Sequence, residues 1–337
     1  MSNTKKHIKF KNPIKVVSSA CSGGKTEKEG PYGKYLDILA SSDDLKTGTF
    51  EKAEAETVRI TVNTLMSKVQ ISEKDVDIML GGDLMNQCTS TGYGLEDFDI
   101  PYLGLYGACS TFALGLLTAG CLIDSGHMEN AIVVASSHFC SAERQFRFPL
   151  EYGSIANTTA QTTVTGAGAV LLKKADENES GTLITGGIYG IVCDNGINDA
   201  ANMGAAMATA AADTVLRYLK SSGENIHAFD KIATGDLGSE GLSLAKEFLF
   251  AKGVQENDIL CDCGEMIYNR EKQNVGCGGS GCGCSAVMTS GFFLDEMKKK
   301  HINRMALVGT GAMMSPQSLL QKLTIPAVAH MAVFENK

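Results

Sequence analysis

The sequence predicts an α/β protein assembled from two related halves, and two observations carry that expectation. Short, continuous apolar runs alternate with stretches of helical length, the pattern of buried strands covered by helices. The order and spacing of these segments also recur along the chain, which is the mark of a duplicated unit.

In the first half, Glu56-Thr57-Val58-Arg59 opens an amphipathic helix reaching residue 69, and residues 77–82 form an apolar strand closed by Gly82-Asp83. In the second, Asp213-Thr214-Val215-Leu216-Arg217 opens a helix, and the strand at residues 230–234 is closed by Gly235-Asp236. The six-residue step from Asp77 to Asp83 recurs from Asp230 to Asp236. A strand over residues 102–106, expected to be buried, leads into Gly107-Ala108-Cys109-Ser110, an apolar helix over residues 112–123 and a strand at 131–135. The counterpart is Gly283-Cys284-Ser285, a helix, and a strand at 306–308. Cys109 to Val133 and Cys284 to Val308 are both steps of 24 residues, which two unrelated segments would rarely share. Each half finishes on a strand, at residues 168–172 and 327–334. The polar run 173–181 is the expected junction, so the halves are residues 1–175 and 176–337.

Composition bounds the function. With 337 residues, 44% hydrophobic and 20% charged, the chain is expected to fold around one large core or two fused ones. No window approaches the roughly 18 uninterrupted apolar residues of a membrane-spanning helix, and the basic, polar first 13 residues do not read as an export signal, so an intracellular protein is expected. A net charge of −8 argues against nucleic acid as a partner and requires any acidic ligand to be captured by local donors or as a metal complex. Eleven cysteines in such a protein suit a reducing compartment, where thiols act as small apolar residues. The group Cys261, Cys263, Cys277, Cys282 and Cys284 lacks paired Cys-x-x-Cys spacing and is expected to pack, not to hold a metal.

Three residues are singled out by position. Cys109 lies between a strand and the first turn of a helix, where backbone N–H groups lower a thiol's pKa and attract anions, so it is expected to be a nucleophile or part of an anion site, with a packed elbow thiol as the alternative. Asp83 ends a strand at the sheet edge where ligands approach α/β folds, although an aspartate there also caps its own loop; Asp236 is its repeat mate. His138 follows the strand at 131–135 and is placed to donate to a carboxylate. Lys298-Lys299-Lys300 reads as a solvated helix end.

The segments Gly107-Ala108-Cys109-Ser110-Thr111, Gly166-Ala167-Gly168-Ala169-Val170 and Gly309-Thr310-Gly311-Ala312-Met313 resemble the cysteine elbow and glycine motifs of thiolase-fold condensing enzymes such as ketoacyl-carrier-protein synthase III. The resemblance implies a five-layered α-β-α-β-α fold of two pseudo-symmetric halves, usually paired as a homodimer, with an acyl group carried on the cysteine. Condensation in those enzymes also needs a histidine and an asparagine, or two histidines, from the second half. Here the loop after the strand at 230–234 reads Gly235-Asp236-Leu237-Gly238, His227 precedes that strand, and Asn274 stands a few residues before the place expected for the asparagine. The departure implies that no residue of this chain is catalytic and that the condensing chemistry is lost. An enzyme acylated on Cys109 is the alternative.

A second resemblance covers essentially the whole chain. Gly82-Asp83-Leu84-Met85-Asn86-Gln87, the elbow around Cys109, Ser136-Ser137-His138, Ala142-Glu143-Arg144-Gln145-Phe146-Arg147, Thr163-Val164-Thr165-Gly166 and Gly278-Gly279-Ser280-Gly281-Cys282 are similar to segments of a sporulation family within the thiolase fold that binds dipicolinic acid, pyridine-2,6-dicarboxylic acid. That resemblance implies uptake of dipicolinic acid into the developing spore of a spore-forming bacterium, together with sporulation membrane channel proteins. It further implies peripheral attachment to the forespore or spore inner membrane and a ligand held by Asp83, Cys109 and His138, with no cofactor. Dipicolinate is a dianion near neutral pH, whereas its one-to-one calcium complex is neutral, so Asp83 is expected to meet the calcium ion. Arg144 and Arg147 are placed either to clamp a planar dicarboxylate or to form surface ion pairs.

Overall fold

The computed structural model describes residues 6–146, 157–176, 179–255 and 258–337. In chain order the first part contains β1 (Ile8–Gly23), α1 (Lys25–Glu29), β2 (Ile38–Leu39), α2 (Phe50–Val69), β3 (Ile78–Gly82), α3 (Thr89–Leu95), β4 (Tyr102–Gly104), α4 (Thr111–Asp124), β5 (Asn130–Ser137), α5 (Phe139–Phe146), β6 (Thr162–Thr163) and β7 (Gly166–Lys174). The remainder contains β8 (Thr182–Ile188), α6 (Met203–Ser222), β9 (Lys231–Thr234), α7 (Gly238–Ala251), β10 (Leu260–Asp262), α8 (Cys263–Ile267), β11 (Gly279–Ser280), α9 (Cys282–Met288), α10 (Leu294–Lys298), β12 (Arg304–Ala312), α11 (Pro316–Leu320) and β13 (Ala327–Asn336).

Ten strands run in the order β10-β9-β12-β13-β8-β1-β7-β5-β3-β4, and the order carries the same logic read from either end. β3 is parallel to β4 and β5, and β9 is parallel to β10 and β12. β5 then meets β7 antiparallel and β12 meets β13 antiparallel, while β1 and β8 join the two sets. Gly82-Asp83 and Gly235-Asp236 therefore follow equivalent parallel strands, one in each set.

Strand alternation sorts the apolar side chains into three cores. On β5, Val133 faces a central core while Ile132 and Val134 face an outer one; on β7, Val170 and Leu172 face the centre while Ala169 and Leu171 face outward. β12 and β13 do the same, with Leu307 and Phe334 central and Val308 and Val333 outward. Helix α2 covers the outer face of the first set, α6 and α7 cover that of the second, and α4 and α9 fill the centre. The result is the five-layered α-β-α-β-α thiolase-like fold.

Helix α4 explains why the centre needs so apolar a sequence. Phe112, Ala113, Leu116 and Leu117 have no solvent exposure, whereas Leu114, Thr118, Cys121, Leu122 and Asp124 are partly exposed, so the helix is buried over most of its circumference. Close approach is possible because Gly115 and Gly120 carry no Cβ: one added there would come within 2.6 Å of Val133 or 2.4 Å of the Phe10 ring.

Three local expectations change. Residues 102–106 do not form a buried strand; β4 is the end of the sheet and Tyr102, Leu103 and Gly104 are exposed, because no further strand covers that side. Helices α2 and α6 start earlier than their apolar periodicity suggests, where the side chains of Thr49 and Asn202 accept from Lys52 N and Ala205 N. The helix after Cys284 is interrupted by a π-turn at Thr289–Phe293, unlike its counterpart α4. Leu116→Ala is expected to destabilise the fold by about 2–5 kcal/mol, since it opens a cavity in the layer shared by both strand sets. Urea denaturation should show one shifted transition, and a shift under about 1 kcal/mol would contradict this placement.

Candidate ligand-binding site

Cys109 stands on a 3-10 turn, Ala108–Ser110, immediately before α4. Ala108 adopts φ +49°, a left-handed conformation that costs a residue with a Cβ roughly 1 kcal/mol. Ser110 and Thr111 brace the turn, their hydroxyls donating to Gly107 O at 2.6 Å and Ala108 O at 2.7 Å. Cys109 is thereby turned toward the second strand set.

The group it meets there is Asp236, which sequence reasoning noted only as a repeat mate. Its carboxylate is fully buried beside the Cys109 thiol, and accepts from Thr310 Oγ1 at 2.7 Å and Gly281 N at 2.9 Å. Gly281 has φ +100°, and a Cβ there would meet Ser137 Oγ at 2.6 Å, so glycine alone brings this N–H to the carboxylate without strain. Burial pushes Asp236 up to about 7 in spite of these bonds. Burial first, then the charge of Asp236, holds the Cys109 thiol well above its ordinary range, opposite to the lowering expected from the helix terminus. The helix-end N–H groups lose because the thiol is desolvated and faces a carboxylate.

A cavity of about 370 Å³ opens over Cys109, a size suited to a small ligand. Leu84, Ala108, Phe146, Met203, Met313 and Met314 give it apolar walls, and Tyr106, Thr163, Ser280 and Ser315 bring hydroxyl-bearing side chains. Asn86 and Glu143 also line it, and among the described residues no lysine, arginine or histidine does.

Asp83 and His138 are not brought into this cavity. Asp83 is fully buried and accepts from Met85 N at 2.7 Å and from Thr91 N and Thr91 Oγ1, both at 2.6 Å. Those three bonds hold the loop carrying Leu84 and Asn86, in which Gln87 and Cys88 have positive φ, so Asp83 acts on the cavity through its wall. His138 accepts from Cys140 N at 3.1 Å through Nδ1 and contacts Asp43 O at 2.7 Å through Nε2. Burial lowers its pKa and keeps the ring neutral. It caps the start of α5, the helix that supplies Ala142, Glu143 and Phe146 to the Cys109 cavity.

His138 itself lines a separate, polar cavity of about 410 Å³ with Lys25, Lys272, Thr165 and Asn274. Asn274 is thus not beside the thiol, and His227 is on a 3-10 turn before β9. Arg144 pairs with Glu51 of α2, a surface ion pair; Arg147 lies outside the described residues. The five clustered cysteines are free, and among the described residues no group of three His, Cys, Asp or Glu side chains is placed to hold a metal ion.

Three further buried carboxyls escaped the sequence. Glu27 accepts from Thr165 N and the Tyr268 hydroxyl, and burial raises its pKa. Glu54 on α2 accepts from Ser136 Oγ at 3.1 Å and Ser141 Oγ at 2.7 Å, and burial together with the nearby Asp83 charge raises its pKa. Asp262 takes Thr234 Oγ1 and the N–H groups of Leu237, Gly238 and Glu265, with burial pushing it up to about 6. Apolar periodicity cannot reveal any of the three, since their partners arrive from other elements.

Solved structures with the same architecture include OleA of Xanthomonas campestris. One OleA variant matches with a TM-score of 0.62 at 13% identity, over 98% of this chain and 99% of that chain. A cerulenin-bound OleA matches with a TM-score of 0.62 at 13% identity, over 97% of this chain and 100% of that chain. The protein is therefore of the thiolase-fold class. Within that class, the sequence profile of Stage V sporulation protein AD matches residues 4–335. The Stage V sporulation protein AD of Bacillus subtilis (strain 168) is 39% identical over 327 residues, 97% of this chain and 96% of that protein. The chain belongs to the Stage V sporulation protein AD family, a family of sporulation proteins.

The raised carboxyls set the sign of a pH dependence. A carboxyl whose pKa is higher in the folded chain stabilises the fold fully below its unfolded pKa, and that contribution is lost as pH rises through the folded pKa. For Asp236 and Asp262 the loss runs from about pH 4 to just above 7. The buried His138 and His330, both lowered, oppose this only as pH falls below their ordinary value of 6.5. Between pH 8.5 and 6.5 stability should therefore rise on acidification, by on the order of 3 kcal/mol or about 4 °C in Tm, carried by Asp236 and by Glu54, which burial raises to about 8. Asp236→Asn should reduce that slope in a melting series and leave the part carried by Glu54, and an unchanged slope would contradict the assignment.

Proposed function

We propose that the protein binds dipicolinic acid, as its neutral calcium complex, in the cavity over Cys109, for uptake into the developing spore, and is not a condensing enzyme. The observation that carries the non-enzymatic part is the Cys109–Asp236 pair. A condensing cysteine needs an accessible thiolate and neighbouring donors for an oxyanion, whereas a buried carboxylate opposes both negative charges. The identity of the ligand rests on the resemblance of the motifs around Gly82, Cys109, His138 and Gly279, and on the sporulation family of the chain.

The chemistry of the cavity favours the calcium complex over the bare acid. A dianion would meet no cationic side chain there, while a neutral complex presents a planar ring to the methionine and phenylalanine walls and a hard cation to oxygen-bearing side chains. Cys109 contacts the ligand; Asp83 and His138 serve as positioning residues for the loop at Leu84 and for α5. Peripheral attachment to the forespore or spore inner membrane, through channel proteins, belongs to the same proposal; among the described residues no helix is long and apolar enough to cross a membrane.

Calorimetric titration with dipicolinic acid, with and without calcium, tests this. Binding of the calcium complex is expected at one per chain, weakened about tenfold or more by Met313→Trp, which fills the cavity at its exposed mouth. Asp83→Ala should weaken both ligand forms alike, because it loosens a wall and does not touch the metal. No binding to the wild type, acyl-enzyme turnover from acyl thioesters on intact-mass analysis, or loss of binding only in Lys25→Ala/Lys272→Ala would each overturn the proposal.

We also propose that the chain is duplicated at the 1–175 and 176–337 boundary and pairs as a homodimer. The exposed edge of β4, with the exposed Tyr102, Leu103 and Tyr106, supports pairing, since an unpaired apolar edge is a template for another strand. Sedimentation should give a dimer that Leu103→Lys shifts toward monomer; a monomeric wild type contradicts this.

A further inference from the structure

A wider groove of about 930 Å³ lies away from Cys109. Thr182, where β8 begins, and Asn336, where β13 ends, line it, whereas the Cys109 cavity takes Ala312, which pairs with the opposite end of β13 at Ala327. The two concavities are therefore at opposite ends of the sheet.

The groove reverses the sign of the protein's charge. Lys34, Lys68, Lys298, Lys299, Lys300 and Lys337 line it against only Asp37 and Asp295, in a chain whose net charge is −8. Both aspartates are already engaged, Asp37 with Lys68 and Asp295 with Lys299, each at 2.6 Å. Among the described residues Lys34, Lys298 and Lys300 have no ion pair, so uncompensated ammonium groups converge on one concave surface. Such a cleft focuses positive potential and concentrates anions.

Its floor is built for oxygen. Ser18, Ser19, Thr182 and Ser290 line it, and Ser18 follows an irregularity in the β1–β7 register. Ser290 belongs to the π-turn that distinguishes this helix from α4, and π-turns recur at functional sites. Ser290 is 4% exposed and its hydroxyl has no hydrogen-bond partner, although its carbonyl accepts from Ser19 Oγ at 2.7 Å. A buried hydroxyl without a partner is expensive and calls for an external acceptor. None of the exposed large apolar residues among those described lines the groove, although the flanks of Val16, Val17, Tyr35, Leu294 and Met297 contribute to its wall.

We propose that this groove binds a phosphoryl-bearing polyanion, with the lysine ammonium groups holding phosphoryl oxygens and the Ser290 hydroxyl donating to one of them. Lysine suits this role as a point charge. The site is independent of the ligand in the Cys109 cavity.

Titration of the full chain with inorganic tripolyphosphate, in calcium-free buffer, is the test. One-site binding is expected, weakened by rising salt, by about tenfold in Lys298→Ala/Lys300→Ala and by about threefold in Ser290→Ala. Lys298 and Lys300 are exposed, so their variant should melt like the wild type, while Ser290→Ala checks the floor separately. A parallel flotation assay with phosphatidylglycerol vesicles separates a free polyanion from a lipid headgroup. Absence of tripolyphosphate binding, binding indifferent to both variants, or vesicle binding without tripolyphosphate binding would overturn the proposal.

Discussion

Burial of α4 between the two strand sets is the constraint on which the rest of the architecture depends. The helix meets strands of both sets, so its residues must be apolar over most of the circumference, and glycines must stand where β5 and Phe10 come close. The same burial delivers its first turn, with Cys109, to the boundary between the two sets. The candidate site follows from this: a residue at the start of a helix of the first half faces a strand end of the second, and Asp236 becomes its neighbour.

Buried carboxyls shape both halves around that point. Asp83 and Asp262 each gather backbone N–H groups of a loop that follows a parallel strand, and so fix loop geometry with a carboxylate that water does not reach. Unlike Asp83, whose bonds stay within its own loop, Asp262 reaches the loop after β9, and Asp236 reaches across to Gly281 and Thr310. Repeat mates at equivalent strand ends have thus diverged: one builds a cavity wall, the other governs the thiol. Desolvation raises the pKa of all three, and the fold accepts that cost in return for a defined pocket.

The strands at 77–82, 131–135, 168–172, 230–234, 306–308 and 327–334, and the helix over 112–123, were legible because apolar runs of a given length record burial directly. The elbow at Cys109 was legible because glycine and small residues must surround a tight turn. The exposure of β4 was not, since a run of apolar residues looks alike in the middle of a sheet and at its edge. Nor was the chemistry of His138, whose ring faces a different cavity from the one containing Cys109, since the strands they follow, β5 and β4, are separated by β3.

By itself the sequence determined the α/β class, the repeated order of elements and the lack of a histidine after β9, because these depend on periodicity, spacing and residue identity. Tertiary structure decided which side chains share a cavity and which way the Cys109 thiol is shifted. Those properties depend on distance and burial between residues far apart in the chain: Cys109 and Asp236 meet only because two strand sets close on α4, and burial there, followed by the carboxylate, outweighs the helix-end N–H groups that local sequence displays.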